Sequence, residues 1–133
     1  LTIFAIFASL MWLNAQSAKR DGTLFLNLTS DEPWRAEMAI NYATQARKLG
    51  YDVVVFLNVR GVFLARKEPL TDLVKAQEQL KTLMALGSKV YVCPSCSKRA
   101  GIKPRADWID GAIEGSHETI ELQMAPNTKV MSW

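Results

Sequence analysis

Two cysteines, spaced as Cys93-Pro94-Ser95-Cys96, form a pattern whose residue types indicate thiol chemistry. Cys93 ends a predicted strand, Lys89–Cys93, and Cys96 lies in the first turn of a short helix predicted to begin at Pro94. Ligands of open α/β sheets bind beyond the carboxyl ends of strands, and a helix N-terminus lowers the pKa of a nearby thiol. Because the thiolate is the nucleophile, Cys93 and Cys96 are the candidate catalytic residues. Their sulfurs are close enough in sequence to form a disulfide or to pass a sulfur atom between them.

Other roles for the two cysteines remain open at this point. They could be partly buried and act as small apolar side chains. A zinc site needs two further ligands, and His117 is the only histidine of the chain. A copper or other metal ion would have Cys93, Cys96 and His117 alone as ligands, so the sequence predicts no metal and no cofactor. A thioredoxin-type pair follows the first strand of its fold, whereas this pair follows the third predicted strand.

The segments around the cysteines alternate between strand and helix. Thr23–Leu28 and Tyr51–Leu57 are continuous apolar runs, which is typical of strands buried on both faces of a parallel sheet. Between them, Ser30 or Asp31 is expected to cap a helix that ends near Gly50. The apolar face predicted for this helix consists of Trp34, Met38, Tyr42, Ala46 and Leu49.

The second half of the chain continues the same alternation. Asn58–Glu68 is expected to be a loop with a short apolar insert, and Asp72 is expected to cap a second helix that ends at Gly87. The buried face of that helix is predicted to be Leu73, Ala76, Leu80, Leu83 and Met84. The remaining predicted elements are short helices at Trp108–Glu114 and His117–Met124 and a last strand, Lys129–Ser132. Four strands with these helices predict a three-layer α/β/α fold with a mainly parallel sheet.

Composition narrows the possible function classes. The chain has 133 residues, of which 49% are hydrophobic and 22% charged, which fits one folded domain rather than a disordered chain. The net charge is only +3 and the basic residues are scattered, which argues against a nucleic-acid partner.

The first 18 residues differ from the rest of the chain. Residues 1–13 carry no charge and are almost entirely apolar, and small residues follow them, as in a secretory signal. The chain begins with Leu rather than Met, so we expect further residues upstream. The segment is then either a cleaved signal, an uncleaved helical membrane anchor, or a helix buried against a partner. The first two alternatives place the domain outside the cytoplasm, on the periplasmic side.

Residues 23–133 resemble the DsrE/DsrF-like family, small α/β domains associated with sulfur relay. The resemblance rests on the opening strand with the helix segment from Trp34 to Ala39, on Val53–Asn58 with Gly61 and Val62 beyond it, and on the run from Val90 to Ile102. In the family, a cysteine at the end of this third strand carries a persulfide, and a glycine follows it eight residues later. Cys93 and Gly101 have this spacing, and Cys96 matches a second cysteine found in some members. The resemblance also implies assembly into oligomers.

Two functions follow from these observations. The first is a sulfur carrier or sulfurtransferase-type protein in which Cys93 bears the persulfide and Cys96 assists or resolves it, with sulfur donor and acceptor proteins as partners. The second is a non-catalytic subunit of a membrane-associated complex, tethered by its N-terminus. A Cys93–Cys96 disulfide would fit the second function or a redox role. Asn27 and Asn58 end strands at the same sheet edge, so they are predicted to line the pocket of Cys93.

Overall fold

The computed structural model describes residues 18–133, and a five-stranded parallel sheet forms its centre. The strands lie in the spatial order β4-β3-β2-β1-β5, and every neighbouring pair is parallel. Their bounds are β1 Thr23–Leu28, β2 Asp52–Leu57, β3 Lys89–Val92, β4 Ile113–Glu114 and β5 Thr128–Ser132. The predicted α/β fold with a mainly parallel sheet is confirmed, whereas the predicted N-terminal helix lies outside the described residues.

Within the described part of the chain, four α-helices and two 3-10 helices connect the strands. Their bounds are α1 Pro33–Lys48, α2 Val74–Ala85, α3 Pro94–Arg99 and α4 His117–Met124, with 3-10 helices at Val59–Ala65 and Thr71–Leu73. Within residues 18–133, no helix is both long and apolar enough to cross a membrane.

The strand register aligns apolar side chains on both faces of the central strands. Leu26 pairs with Val55, and Val55 pairs with Val90, so these side chains point to the same face of the sheet. That face packs against α1 and α2 in the main core. The opposite face carries Phe25, Val54 and Tyr91, and Leu122 of α4 packs against them. Strands covered on both faces have to be apolar at successive positions, as the sequence predicted.

Tyr91 ties α4 to the sheet through a polar contact. Its hydroxyl donates a hydrogen bond to Oε1 of Glu118, with 3.0 Å between the oxygens. Burial raises the pKa of Tyr91, and the hydrogen bond to the Glu118 carboxylate raises it further. The hydroxyl therefore stays protonated and keeps this link between β3 and α4 at ordinary pH.

The predicted apolar face of the first helix is wrong. The fully buried residues of α1 are small or β-branched, namely Ala36, Ala39, Ile40 and Ala43. Trp34 is instead 73% exposed and Tyr42 51% exposed. The buried residues and the exposed aromatic residues both recur every three to four positions. The small alanine side chains let the helix backbone lie closer to the sheet than Trp34 and Tyr42 would allow. The capping prediction is also wrong, because the Glu32 carboxylate accepts the N–H groups of Trp34 and Arg35.

The segment predicted as a loop, Asn58–Glu68, is mostly the 3-10 helix Val59–Ala65. Gly61 is required there because a Cβ would overlap the carbonyl oxygen of Leu28. The buried Gln77 side chain of α2 holds the end of this 3-10 helix by donating to the carbonyl oxygens of Leu64 and Arg66, at 3.0 and 2.6 Å. Hydrogen bonds of this kind satisfy carbonyl groups that would otherwise be buried without a partner.

The second helix confirms most of its predicted buried face. Leu73, Ala76, Leu80 and Leu83 are buried, and Met84 packs against the core at its edge. Asp72 does not cap this helix, because it lies within the 3-10 turn Thr71–Leu73 that precedes α2.

The helix predicted at Trp108–Glu114 does not form. Ile113–Glu114 is instead the edge strand β4, which pairs with β3. Trp108 makes an isolated antiparallel bridge with Arg66, and Gly111 adopts a φ of 85°, which interrupts a right-handed helix. In residues 18–133 the sheet therefore has five strands rather than the four that the sequence predicted.

Candidate functional site

Cys93 occupies the junction between β3 and α3, at the carboxyl edge of the sheet. Its N–H extends the strand pairing by donating to the Leu57 carbonyl oxygen at 2.9 Å. Its carbonyl oxygen accepts the Ser97 N–H at 3.1 Å, and its Sγ accepts the Cys96 N–H at 3.1 Å. Cys93 is thus the N-cap of α3, and its sulfur is held over the first turn of that helix.

The two cysteines are joined by a disulfide, and their Cα atoms are 5.3 Å apart. Both residues are half-buried at the edge of the main core. The structure thus brings together the two residues that the sequence selected, in their oxidised state. His117 begins α4, and residues 18–133 contain no group of three or more His, Cys, Asp or Glu side chains arranged to hold a metal ion.

A buried hydrogen bond between two side chains holds the short helix α3 in place. Trp108 Nε1 donates to Ser97 Oγ at 3.1 Å, and both residues are buried. Gly101 ends the helix with a φ of 75°, and its N–H donates to the Lys98 carbonyl oxygen. The eight-residue spacing between Cys93 and Gly101 therefore spans this helix from its N-cap to the glycine that ends it.

A cavity of about 730 Å³ lies beside the disulfide. Cys96 contributes to its wall, whereas Cys93 is not among the lining residues. The remaining lining comes from the 3-10 helix 59–65 and from the last turn of α3: Val59, Arg60, Phe63, Arg99 and Ala100. The cavity is therefore lined by apolar residues, by two arginines and by one of the two cysteines of the disulfide.

Arg60 is held in the cavity wall by an ion pair with Asp31. Its Nε and Nη2 bind the two carboxylate oxygens, with a shortest distance of 2.6 Å. The guanidinium also lies 5.1 Å from the centre of the Phe63 ring. The hydrogen bonds from Arg60 lower the pKa of Asp31, and Asp31 in turn raises the pKa of Arg60.

Asn27 and Asn58 are not among the residues that line this cavity. Asn58 Nδ2 donates to Asn27 Oδ1 at 2.6 Å, and Asn27 Nδ2 donates to Ser132 Oγ at 3.3 Å. These bonds connect the carboxyl ends of β2, β1 and β5. The sequence analysis missed Arg60, Phe63 and Arg99 as cavity residues. Their signal was the position of Arg60 and Phe63 directly after β2, at the same sheet edge as Cys93.

Comparison with known proteins identifies the family. A model of the DsrE/DsrF-like family matches residues 23–131, which is most of the chain. The chain belongs to the DsrE/DsrF-like family. The resemblance noted in the sequence is thereby confirmed, and membership supports a sulfur-relay type of function in general, in which DsrE-like proteins work with partner proteins.

Two individual proteins are similar to this DsrE-like chain. An uncharacterized protein of Methanocaldococcus jannaschii is 38% identical over 79 residues, which cover 59% of this chain and 68% of the relative. The crystal structure of the ychN protein from E. coli superimposes with a TM-score of 0.64 at 20% identity, covering 86% of this chain and all of the other. The second similarity concerns the fold alone.

The Asp31–Arg60 pair makes stability depend on pH in a defined direction. Because the pKa of Asp31 is lowered in the folded state, its contribution is present above about 3.9, the ordinary pKa of an aspartate, and is lost as the pH falls through the lowered value. We expect Asp31→Asn to unfold at a lower temperature than the wild type at pH 7, with a difference that shrinks below pH 4. Thermal unfolding followed by circular dichroism at several pH values measures this. Asp110→Asn, at an exposed aspartate outside the ion pairs of residues 18–133, is the control, and an equal pH response in both variants would contradict the prediction.

Proposed function

We propose that this protein receives and passes on sulfane sulfur through a persulfide on Cys93, with Cys96 as its partner thiol. The observation that carries the proposal is the hydrogen bond from the Cys96 N–H to Cys93 Sγ. A backbone N–H that points at a sulfur stabilises the thiolate, which is the nucleophilic form. Family membership and the strand-end position of Cys93 support the same assignment.

Sulfur transfer to Cys93 balances without an external oxidant. In the reduced protein, the Cys93 thiolate attacks the outer sulfur of a donor persulfide. A bond forms between Cys93 Sγ and that sulfur, the donor S–S bond breaks, and the donor leaves as a thiolate. An acceptor thiolate then attacks the outer sulfur of the Cys93 persulfide and regenerates the Cys93 thiolate.

Cys96 provides a second way to discharge the persulfide. Its thiolate can attack Cys93 Sγ, which forms the Cys93–Cys96 disulfide and releases the outer sulfur as hydrosulfide. The Cα atoms of the two cysteines are 5.3 Å apart, which is within the range that a disulfide spans. In this scheme the disulfide is the discharged, oxidised state, and two electrons from a reductant return it to the dithiol.

A second function is favoured by the same disulfide. If the bond is permanent, the domain is a non-catalytic accessory subunit of a membrane-associated complex, and the cysteines stabilise the β3–α3 junction. Sulfur loading separates the two functions, because an accessory subunit would not accept sulfur after reduction.

We also propose an exported location, on the periplasmic side, with the N-terminal segment as signal or anchor. Its apolar run, residues 1–13, supports contact with a membrane or a membrane complex. A disulfide is compatible with this location because exported proteins meet an oxidising environment.

Self-association is the remaining part of the proposal, and α1 offers the surface for it. Trp34, Met38 and Tyr42 are spaced four residues apart and are 73%, 40% and 51% exposed. Exposed apolar side chains aligned along one helix are typical of interaction surfaces. We infer that a second copy of the chain or a related subunit covers them.

Replacement of each cysteine tests the persulfide assignment. Reduced wild-type protein incubated with a donor persulfide should gain about 32 Da, the mass of one sulfur atom, as Cys93 accepts sulfane sulfur. Cys93→Ser should lose this gain. Cys96→Ser should load as the wild type does but retain the sulfur longer, because intramolecular discharge to hydrosulfide is removed. Mass spectrometry of the intact protein reads all three outcomes. Equal loading of both variants would contradict the assignment to Cys93, and no loading of the reduced wild type would favour the accessory subunit.

Substitution at Trp34 tests the proposed surface. Trp34→Glu places a charge among the exposed apolar residues of α1, so we expect a lower molar mass by light scattering than for the wild type. Met124→Glu is the matched control, because Met124 is 79% exposed on α4 and should not affect the assembly. A monomeric wild type, or dissociation by the control alone, would contradict the proposal.

Removal of residues 1–17 tests the location. We expect the full chain to stay with membranes after a high-salt wash and to be released by detergent, because an apolar anchor is held by lipid rather than by charge. The truncated protein should remain in the supernatant after centrifugation. Membrane association of the truncated protein would show that residues 18–133 carry the binding instead.

A further inference from the structure

The cavity beside the disulfide borders one of its two cysteines. Cys96 forms part of the cavity wall and Cys93 does not. A small molecule in the cavity therefore lies beside Cys96. This difference in position distinguishes Cys96 from Cys93 independently of the charges in the cavity wall.

The charged groups of the cavity are both cationic. Arg99 takes part in none of the ion pairs formed within residues 18–133, and its side chain lies in the exposed part of the wall. Arg60 is paired with Asp31, but the bonds to Asp31 use only Nε and Nη2, so Nη1 retains its N–H donors. The net charge of the wall is therefore positive and comes mainly from Arg99.

We propose that this cavity binds a small anionic thiol and directs it to Cys96, which opens the disulfide and frees Cys93 as the thiolate. The inference deepens the proposed function and rests on it, because it takes Cys93 and Cys96 as the reactive pair. Arg99 attracts the anionic group of the thiol, Arg60 offers it hydrogen-bond donors, and Phe63 and Ala100 contact its carbon atoms.

The exchange conserves atoms and electrons. The incoming thiolate forms an S–S bond with Cys96 Sγ, the Cys93–Cys96 bond breaks, and its electron pair stays on Cys93 Sγ. The Cys96 N–H, which lies 3.1 Å from Cys93 Sγ, stabilises the charge on this leaving group. A second anionic thiol then attacks the mixed disulfide, releases Cys96 as a thiolate and leaves as the symmetrical small disulfide. Two thiols are thus oxidised for each protein disulfide reduced.

Three thiols with the same two-carbon skeleton test the charge preference: 2-mercaptoethanesulfonate, 2-mercaptoethanol and cysteamine. The rate of disulfide opening is measured by acid quenching, maleimide alkylation and intact mass, and is divided by the thiolate concentration of each reagent. We expect the sulfonate to react fastest and the ammonium thiol slowest, with roughly a 3- to 10-fold difference between them from one nearby unit charge. The difference should narrow in about 1 M salt, where the screening length is about 3 Å.

Two variants on α3 form a matched pair. Arg99→Gln removes the positive charge of Arg99 from the cavity wall and should abolish the difference in rate of disulfide opening among the three thiols. Lys98→Gln removes the same charge from the neighbouring residue, which does not line the cavity, and should retain this difference in rate. The proposal would be overturned if the wild type opened at the same rate with all three thiols, or if both variants reduced the difference in rate equally.

The site of attack is read from the mixed disulfide. Brief reaction with 2-mercaptoethanesulfonate, alkylation of the freed thiol and peptide sequencing by mass spectrometry should place the adduct on Cys96 and the alkyl group on Cys93. The reverse placement would overturn the proposal. Persulfide loading of chemically reduced protein separates the two hypotheses: normal loading without a thiol preference rejects only the cavity, whereas a thiol preference without loading rejects only the sulfur-carrier function.

Discussion

The turn of the backbone from β3 into α3 at Cys93 determines the rest of the site. The N–H of Cys93 donates a hydrogen bond to the Leu57 carbonyl oxygen. Its carbonyl oxygen accepts one from the Ser97 N–H, and its sulfur accepts one from the Cys96 N–H. Pro94 follows directly, and because its φ is fixed, it favours a helix start at this position. The sulfur of Cys93 thus cannot leave the sheet edge unless strand pairing or the helix is also disturbed.

The cavity depends on a second junction, between β2 and the 3-10 helix 59–65. Arg60 and Phe63 come from that helix, and Cys96 and Arg99 come from α3, so the cavity exists because β2 and β3 are neighbours in the sheet. In the proposed account, the thiolate formed at one junction is used for sulfur transfer, and the cavity between the junctions admits the thiol that regenerates it. The disulfide is then one state of a cycle, which explains how a protein of a sulfur-relay family contains an oxidised cysteine pair.

The sequence predicted the sheet and the position of the cysteine pair because both depend on local, strongly constrained patterns. The apolar runs in β1, β2 and β3 had to be buried on both faces, and a cysteine at the end of such a run had to lie at the carboxyl edge. The orientation of α1 was not predictable from periodicity, because Trp34 and Ala36 lie on two different faces of the helix that both have the spacing of a buried face. Packing against the sheet buries the face that carries Ala36. The cavity was missed because Arg60 acquires its position from the ion pair with Asp31, 29 residues away in the chain.

The oxidation state of the cysteines in cells tests the central claim most directly. Cells that express the full chain are quenched in acid, all free thiols and persulfides are alkylated, and the peptide that contains both cysteines is sequenced by mass spectrometry. The account predicts that part of the protein carries one additional sulfur on Cys93, while the remainder holds the Cys93–Cys96 disulfide or the dithiol. An additional sulfur on Cys96 alone, or a disulfide in every molecule regardless of the sulfur supply, would contradict it.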